Sequence, residues 1–172
     1  MKVAFIAWEN CTIQDVAPVL TALKRAQYAV RTLTLDGSPV TADCGLTLLP
    51  HGALGTASPR DFQWLLLPSG GMTSSLLENP HLHRFIRQFN GQHNAWLAAS
   101  GDACAILGAA GQLGGLRFTG PADTVEKYAS LFTYSAYTGE DVCLDGNVFT
   151  AKNNVGRALA EAICKRIGVE AG

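Results

Sequence analysis

Trp96-Leu97-Ala98-Ala99-Ser100-Gly101-Asp102-Ala103-Cys104-Ala105-Ile106-Leu107-Gly108-Ala109-Ala110-Gly111 reads as a buried strand, a sharp turn and a helix that ends on glycine. A short apolar run bounded by a turn signal marks a strand covered on both faces. In α/β hydrolytic folds a strand-to-helix turn of this kind lifts one side chain above the sheet, where strained backbone presents a nucleophile. Here the turn offers only Ser100 and Gly101.

Outward from this stretch, strand and helix signals alternate, which predicts βαβ units and a largely parallel sheet. Lys2–Trp8 reads as the first strand, followed by a helix over Ile13–Ala26 with Ile13, Val16, Ala17, Leu20 and Leu23 along one stripe. Val30–Leu35 is the second strand, turning at Asp36-Gly37-Ser38-Pro39, and Val40–Ala42 and Leu46–Leu49 are short flanking strands. Trp64–Leu67 feeds the glycine loop Pro68-Ser69-Gly70-Gly71. Asn79 then caps a helix with Pro80 in its first turn and Leu82, Phe85, Ile86 and Phe89 on its buried face. Beyond the opening stretch, Leu116–Thr119 is a short strand, and Val142–Leu144 with Val148–Ala151 forms a hairpin about Asp145-Gly146-Asn147. A last helix carries Val155, Leu159, Ile163 and Ile167 at four-residue intervals. No linker or repeat interrupts the pattern, so residues 1–172 are expected to form one layered domain.

Composition narrows the function classes. The formal net charge of −1 gives no electrostatic case for nucleic acid or an anionic membrane as a partner. Five widely spaced cysteines, with no CxxC and no secretory leader, imply reduced thiols and a cytoplasmic protein. No apolar run reaches transmembrane length. No P-loop, dinucleotide fingerprint or metal-spaced ligand set is present, so no cofactor and no metal are expected. His81 and His83 stand two apart on their helix and so point to different faces.

Taken together, Lys2–Trp8, Ile13–Ala26 with Asp15 and Pro18, Leu65-Leu66-Leu67-Pro68-Ser69-Gly70-Gly71, the stretch 96–111 and Asp145-Gly146-Asn147-Val148-Phe149-Thr150-Ala151 resemble the ThiJ/PfpI family of the class I glutamine amidotransferase-like superfamily. The resemblance covers nearly the whole chain. It implies a flavodoxin-like three-layer α/β/α sandwich with a mostly parallel sheet, usually dimeric, with its site at the carboxyl ends of the strands. Catalytic members use a cysteine at the elbow, near an acidic residue of the first helix and in some cases a histidine. The family spans glyoxalase-like enzymes, amidases, isocyanide hydratases and stress proteins, and membership alone does not choose among them.

Two registers are open at the elbow. Matching the helix end Leu107–Gly111 puts Gly101 at the cysteine position, whereas matching a local Cys-Gly pair puts Ser100 there. Gly101 is favoured, because the serine register needs an extra residue inside a packed helix and because glycine adopts the elbow's positive φ without cost. Ser100 as a nucleophile lacks a family-type histidine base, since Phe118-Thr119-Gly120-Pro121 fills the loop where some members carry one. Ser100 is otherwise an N-cap for the following helix.

Asp15 matches the family's acidic position, and Thr12-Ile13-Gln14-Asp15 also approximates a capping box. Asp102 is expected in the first turn of the elbow helix, where it would oppose an anionic ligand. Cys104, a turn into that helix, reads as packing, and Cys11, in the loop after the first strand, as the better reactive thiol. Gly70 and Gly71 are candidate backbone donors to a ligand oxygen, and Trp8 and Glu9 are candidate cleft residues.

These residues point first to a homodimeric protein with a degenerate elbow that binds a small molecule without covalent chemistry, with Gly70, Gly71, Gly101, Cys11 and Glu9 as ligand-binding candidates. A hydrolase, amidase or hydratase using Ser100 with Asp15, or a displaced cysteine, is the second reading. A dimeric regulatory or stress-response protein is the third.

Overall fold

A computed structural model describes residues 1–170. Its centre is a seven-stranded sheet built from β1 (Lys2–Ile6), β2 (Ala29–Thr34), a short edge strand at Gly52–Ala53, Trp64–Leu67, Trp96–Ser100 and the hairpin Val142–Asp145/Val148–Ala151. In chain order, with β3 (Val40–Thr41) and β4 (Thr47–Leu48) forming a separate antiparallel hairpin, these central strands are β5, β6, β7, β10 and β11. A second small pair, β8 (Arg117–Phe118) and β9 (Ala136–Tyr137), lies outside the sheet. The order across the sheet is β10-β11-β7-β6-β1-β2-β5, parallel throughout except for β10.

The connections follow from right-handed crossovers, which put successive helices on opposite faces when the strand order reverses. Helix α1 (Ala17–Arg25) and the last helix, α6 (Gly156–Ile167), pack on each other. Between them in the chain come α2 (Ser74–Leu77), α3 (Pro80–Asn90), α4 (Cys104–Ala109) and α5 (Ala122–Lys127), with α3 packed against α4. Val3–Ile6, Trp64–Leu67 and Leu97–Ala99 are almost entirely buried, as strands covered by helices on both faces must be.

Local chemistry explains the boundaries. Asn79 accepts hydrogen bonds from the His81 and Leu82 amides at 3.0 Å, and Leu82, Phe85, Ile86 and Phe89 are the buried residues of α3, as its spacing predicts. The hairpin β10–β11 turns through Gly146 and Asn147, with Gly146 at φ +59°. The first helix is shorter than expected. It begins at Ala17 rather than Ile13, with Pro18 in its first turn, and residues 13–16 form a tight turn through Val16 and Ala17 N–H bonds to the Ile13 carbonyl. The first strand ends at Ile6 rather than Trp8, because the chain then turns away through Asn10 at φ +59°.

Candidate functional site

Three segments meet at the carboxyl end of the sheet: the loop after β1, the glycine loop after β6 and the turn after β7. Strand β7 runs to Ser100, which keeps extended backbone at φ −95°, and Gly101 makes the turn at φ +55°. A short 3-10 turn, Gly101–Ala103, then leads into α4. Gly101 thus takes the left-handed conformation that only glycine holds cheaply. The position from which a side chain would project is filled. A β-carbon built on Gly101 would collide with the Asn153 side-chain oxygen and with the β-carbon of Ser69.

Ser100 does not cap the helix, contrary to the sequence expectation. Its Oγ is buried and has no hydrogen-bond partner among the described residues. The Asp15 carboxylate, on a residue only 4% exposed, accepts the Asn154 backbone N–H at 2.9 Å. The backbone of Gly156 packs directly against that of Asp15, leaving no room for a side chain. The capping box is therefore not formed: Thr12 Oγ1 donates instead to Asp43 Oδ2 at 2.7 Å, and Asp15 holds the turn before α6.

The glycine loop is tied on both sides. Gly70 donates its N–H to Asp102 Oδ1 at 2.9 Å, and its carbonyl accepts from Trp8 Nε1 at 2.7 Å. One of the two backbone donors expected for a ligand oxygen is thus already engaged by an acceptor from the elbow turn itself. Burial raises the Asp102 carboxyl above its ordinary range, partly offset by the Gly70 N–H. Gly71, at φ +63°, lies against Trp8 and the Glu9 carbonyl, so close that a β-carbon there would clash.

The cysteines separate by burial. Cys11 is fully buried, and desolvation pushes its thiol up, so its loop position does not make it the accessible sulfur. Cys104 is buried against Gly120, and burial together with the nearby Asp102 carboxylate pushes its thiol up to about 12. Cys44, in the turn between β3 and β4, is the exposed thiol among the described residues.

An open cavity of about 660 Å³ lies between the loops that follow β1, β2 and β6. Trp8, Glu9 and Gly71 line it together with Asp36, Val40 and Met72. Ser100, Gly101, Gly70, Cys11 and Asp15 are not among its walls. The chain runs from β1 to its neighbour β2 and later to β6 on the other side of β1. The cavity therefore sits at the point where the strand order reverses, the position at which open α/β sheets form their ligand crevice. Sequence reasoning found Trp8, Glu9 and Gly71 but not Asp36 or Met72, which reach the same space from a turn and from a loop.

The β3–β4 hairpin, which brings Val40 to the cavity, is bonded to the loop after β1 at four points. Asn10 N–H donates to the Thr41 carbonyl at 2.8 Å and Thr41 N–H to Glu9 Oε1 at 3.0 Å. Asp43 N–H donates to the Cys11 carbonyl at 3.0 Å, and the Thr12–Asp43 side-chain bond completes the set. Among the described residues no group of His, Cys, Asp and Glu is arranged to hold a metal ion, and no helix is long and apolar enough to cross a membrane.

A sequence profile of the DJ-1/PfpI family matches residues 1–166. No curated protein sequence matches the chain. A DJ-1 superfamily protein from Agrobacterium tumefaciens superposes with a TM-score of 0.85 at 22% identity, over 99% of this chain and 91% of that one. A ThiJ/PfpI domain protein from Brachyspira murdochii superposes with a TM-score of 0.87 at 13% identity, over 97% and 96%. A two-domain protein from Anabaena variabilis, with DJ-1/ThiJ/PfpI-like and ferritin-like domains, gives a TM-score of 0.86 at 23% identity. This chain spans 48% of that protein's length. At such identities the likeness is one of fold.

Proposed function

The chain belongs to the DJ-1/PfpI family, and from that premise we propose that it is a non-covalent small-molecule-binding protein whose elbow has lost its nucleophile. The observation that carries this reading is at Gly101: no side chain stands there, and Asn153 and Ser69 fill the volume one would need. A nucleophile also needs a base within hydrogen-bond reach. Ser100 Oγ has no such partner, and the Asp15 carboxylate is engaged by the Asn154 amide. The cavity at the strand-order reversal supplies the binding volume, within the range usual for small-molecule sites.

Homodimerisation belongs to the same reading. Leu46 and Leu49, 61% and 73% exposed beside the β3–β4 hairpin, offer apolar surface to a second copy, and sedimentation velocity decides it.

The test is a small-molecule screen by thermal shift, followed by intact-mass spectrometry of each hit and titration against Ser75→Trp, which places a large ring at the exposed rim of the cavity. The expected result is reversible binding with unchanged protein mass, weakened by Ser75→Trp and unaffected by Ser100→Ala. A covalent adduct on Ser100, or turnover that Ser100→Ala abolishes, would overturn the reading.

A further inference from the structure

Two successive glycines beside the cavity take the left-handed conformation, Gly70 at φ +80° and Gly71 at φ +63°. Such a pair has wide backbone freedom, so its shape depends on what ties it down. Three bonds do so. Thr12 N–H donates to the Ser69 carbonyl at 2.8 Å, Trp8 Nε1 to the Gly70 carbonyl at 2.7 Å, and Gly70 N–H to Asp102 Oδ1 at 2.9 Å. Of the three, only the last ends on a group that takes up a proton in the ordinary pH range.

These bonds lead from the elbow to the cavity. Asp102 lies in the 3-10 turn that begins at Gly101, and neither Asp102 nor Gly70 lines the cavity. Trp8 and Gly71 do line it. They pack so closely that a β-carbon on Gly71 would meet Trp8 Cδ1 at 3.1 Å. Asp102 therefore holds Gly70, Gly70 holds the Trp8 indole, and the indole and Gly71 form one stretch of wall.

Resting on the binding reading above for the cavity's role, we propose that Asp102 is a positioning residue: its ionised carboxylate clasps the glycine loop, and protonation loosens the Trp8–Gly71 wall. A hydrogen bond to a charged acceptor is about twice as strong as one to a neutral acceptor. The protonated acid still accepts the Gly70 N–H through its carbonyl oxygen, so the wall slackens without detaching. Asp102 is half-buried, so a proton from solvent reaches it. The titratable groups around it are Asp123 and Lys127 of α5, of opposite sign, and Cys104 of α4. Burial is the largest influence and sets the transition above the ordinary aspartate value of 3.8. The elbow turn thus serves the cavity without any side chain at residue 101.

The test is an NMR titration of the ¹⁵N-labelled full chain, from about pH 7 to about pH 4. It follows the Gly70 amide and the indole N–H signals of Trp8, Trp64 and Trp96. Trp64 and Trp96, which stack on each other at the opposite end of the sheet, are the controls. The Gly70 amide proton is expected to move upfield as its acceptor loses charge, and the Trp8 indole to move at the same midpoint. Protection of the Trp8 indole from solvent exchange, corrected for the pH dependence of exchange itself, should fall about fivefold across the transition. Asp102→Asn should abolish the transition at both signals and hold the Trp8 indole at its low-pH protection.

A Gly70 amide that titrates while the Trp8 indole stays fixed would show a bond with no hold on the wall, and would overturn the proposal. So would a Gly70 amide with no transition, a transition that persists in Asp102→Asn, or one in which Trp64 and Trp96 move with Trp8. If Asp102→Asn does not fold, the titration of the parent protein still decides. None of these readouts needs a ligand: an unproductive screen overturns the binding reading alone, and the coupling of Asp102 to Trp8 stands or falls on the titration.

Discussion

The side-chain oxygen of Asn153 occupies the space directly over Gly101, where an elbow side chain would stand. The two residues come from the same, carboxyl end of neighbouring parallel strands: Gly101 follows β7, and Asn153 follows β11, its partner in the sheet. The absence of a nucleophile and the presence of a filler are thus one packing arrangement, because the amide can sit there only while residue 101 has no side chain.

Gly101→Cys therefore does not simply restore a thiol. It forces a β-carbon into left-handed backbone and into the Asn153 amide, and the expected cost is about 2–4 kcal/mol in urea denaturation. Adding Asn153→Ala should return part of that loss by vacating the space. Full stability of the single variant would show that the amide moves freely and that the elbow is not blocked.

Asp15→Ala should destabilise by about 1–3 kcal/mol, since it removes the buried carboxylate that accepts the Asn154 N–H. Asp15→Asn keeps an acceptor and should lose less. Ligand affinity, measured alongside, is expected to hold in both variants once the proteins are folded. A selective loss of activity in stable Asp15→Asn would instead make the carboxylate part of the chemistry.

Timed alkylation of the native protein should modify Cys44 first. Cys11 and Cys104 are buried with thiols pushed up by desolvation, so they should react only on unfolding. Peptide mapping after a short iodoacetamide pulse reads the order directly, and early labelling of Cys11 would revive it as a reactive site.

Asp102 gives a pH signature. Because burial raises its carboxyl above the ordinary value of 3.8, the folded protein takes up this proton more readily than the unfolded chain. Its favourable contribution is complete below the unfolded value and is lost as pH rises through the folded one. Asp102→Asn keeps an acceptor for the Gly70 amide without the charge. Its melting temperature should therefore gain on the parent protein as the pH is raised from about 3.5 to 7. A gap that stays constant across this range would show that the carboxyl titrates normally.

Much of this architecture could be read from local chemistry. The Asn79-Pro80 start and the spacing of Leu82, Phe85, Ile86 and Phe89 define α3, and the Gly146-Asn147 turn defines the late hairpin. A turn that needs positive φ favours glycine, and after β7 Gly101 is the residue that adopts it, at +55°. What sequence could not supply were partners distant along the chain. Asp15 looks like a local cap, yet its acceptor role serves Asn154, 139 residues away. Cys11 sits in a loop and so looked accessible, but the β3–β4 hairpin bonds to that loop and the residue is fully buried. Asn153 gave no signal for its role, because filling a neighbour's empty position leaves no periodicity.

The four bonds that fasten the β3–β4 hairpin to the loop after β1 make the edge that carries Val40 a doorframe rather than a door. Under the proposed binding role, a guest would meet an opening already shaped, so association need not wait on a folding loop and little order would have to be imposed at the moment of capture. Discrimination would then rest on outline, with a poor fit turned away at the threshold instead of being trapped behind a closing flap.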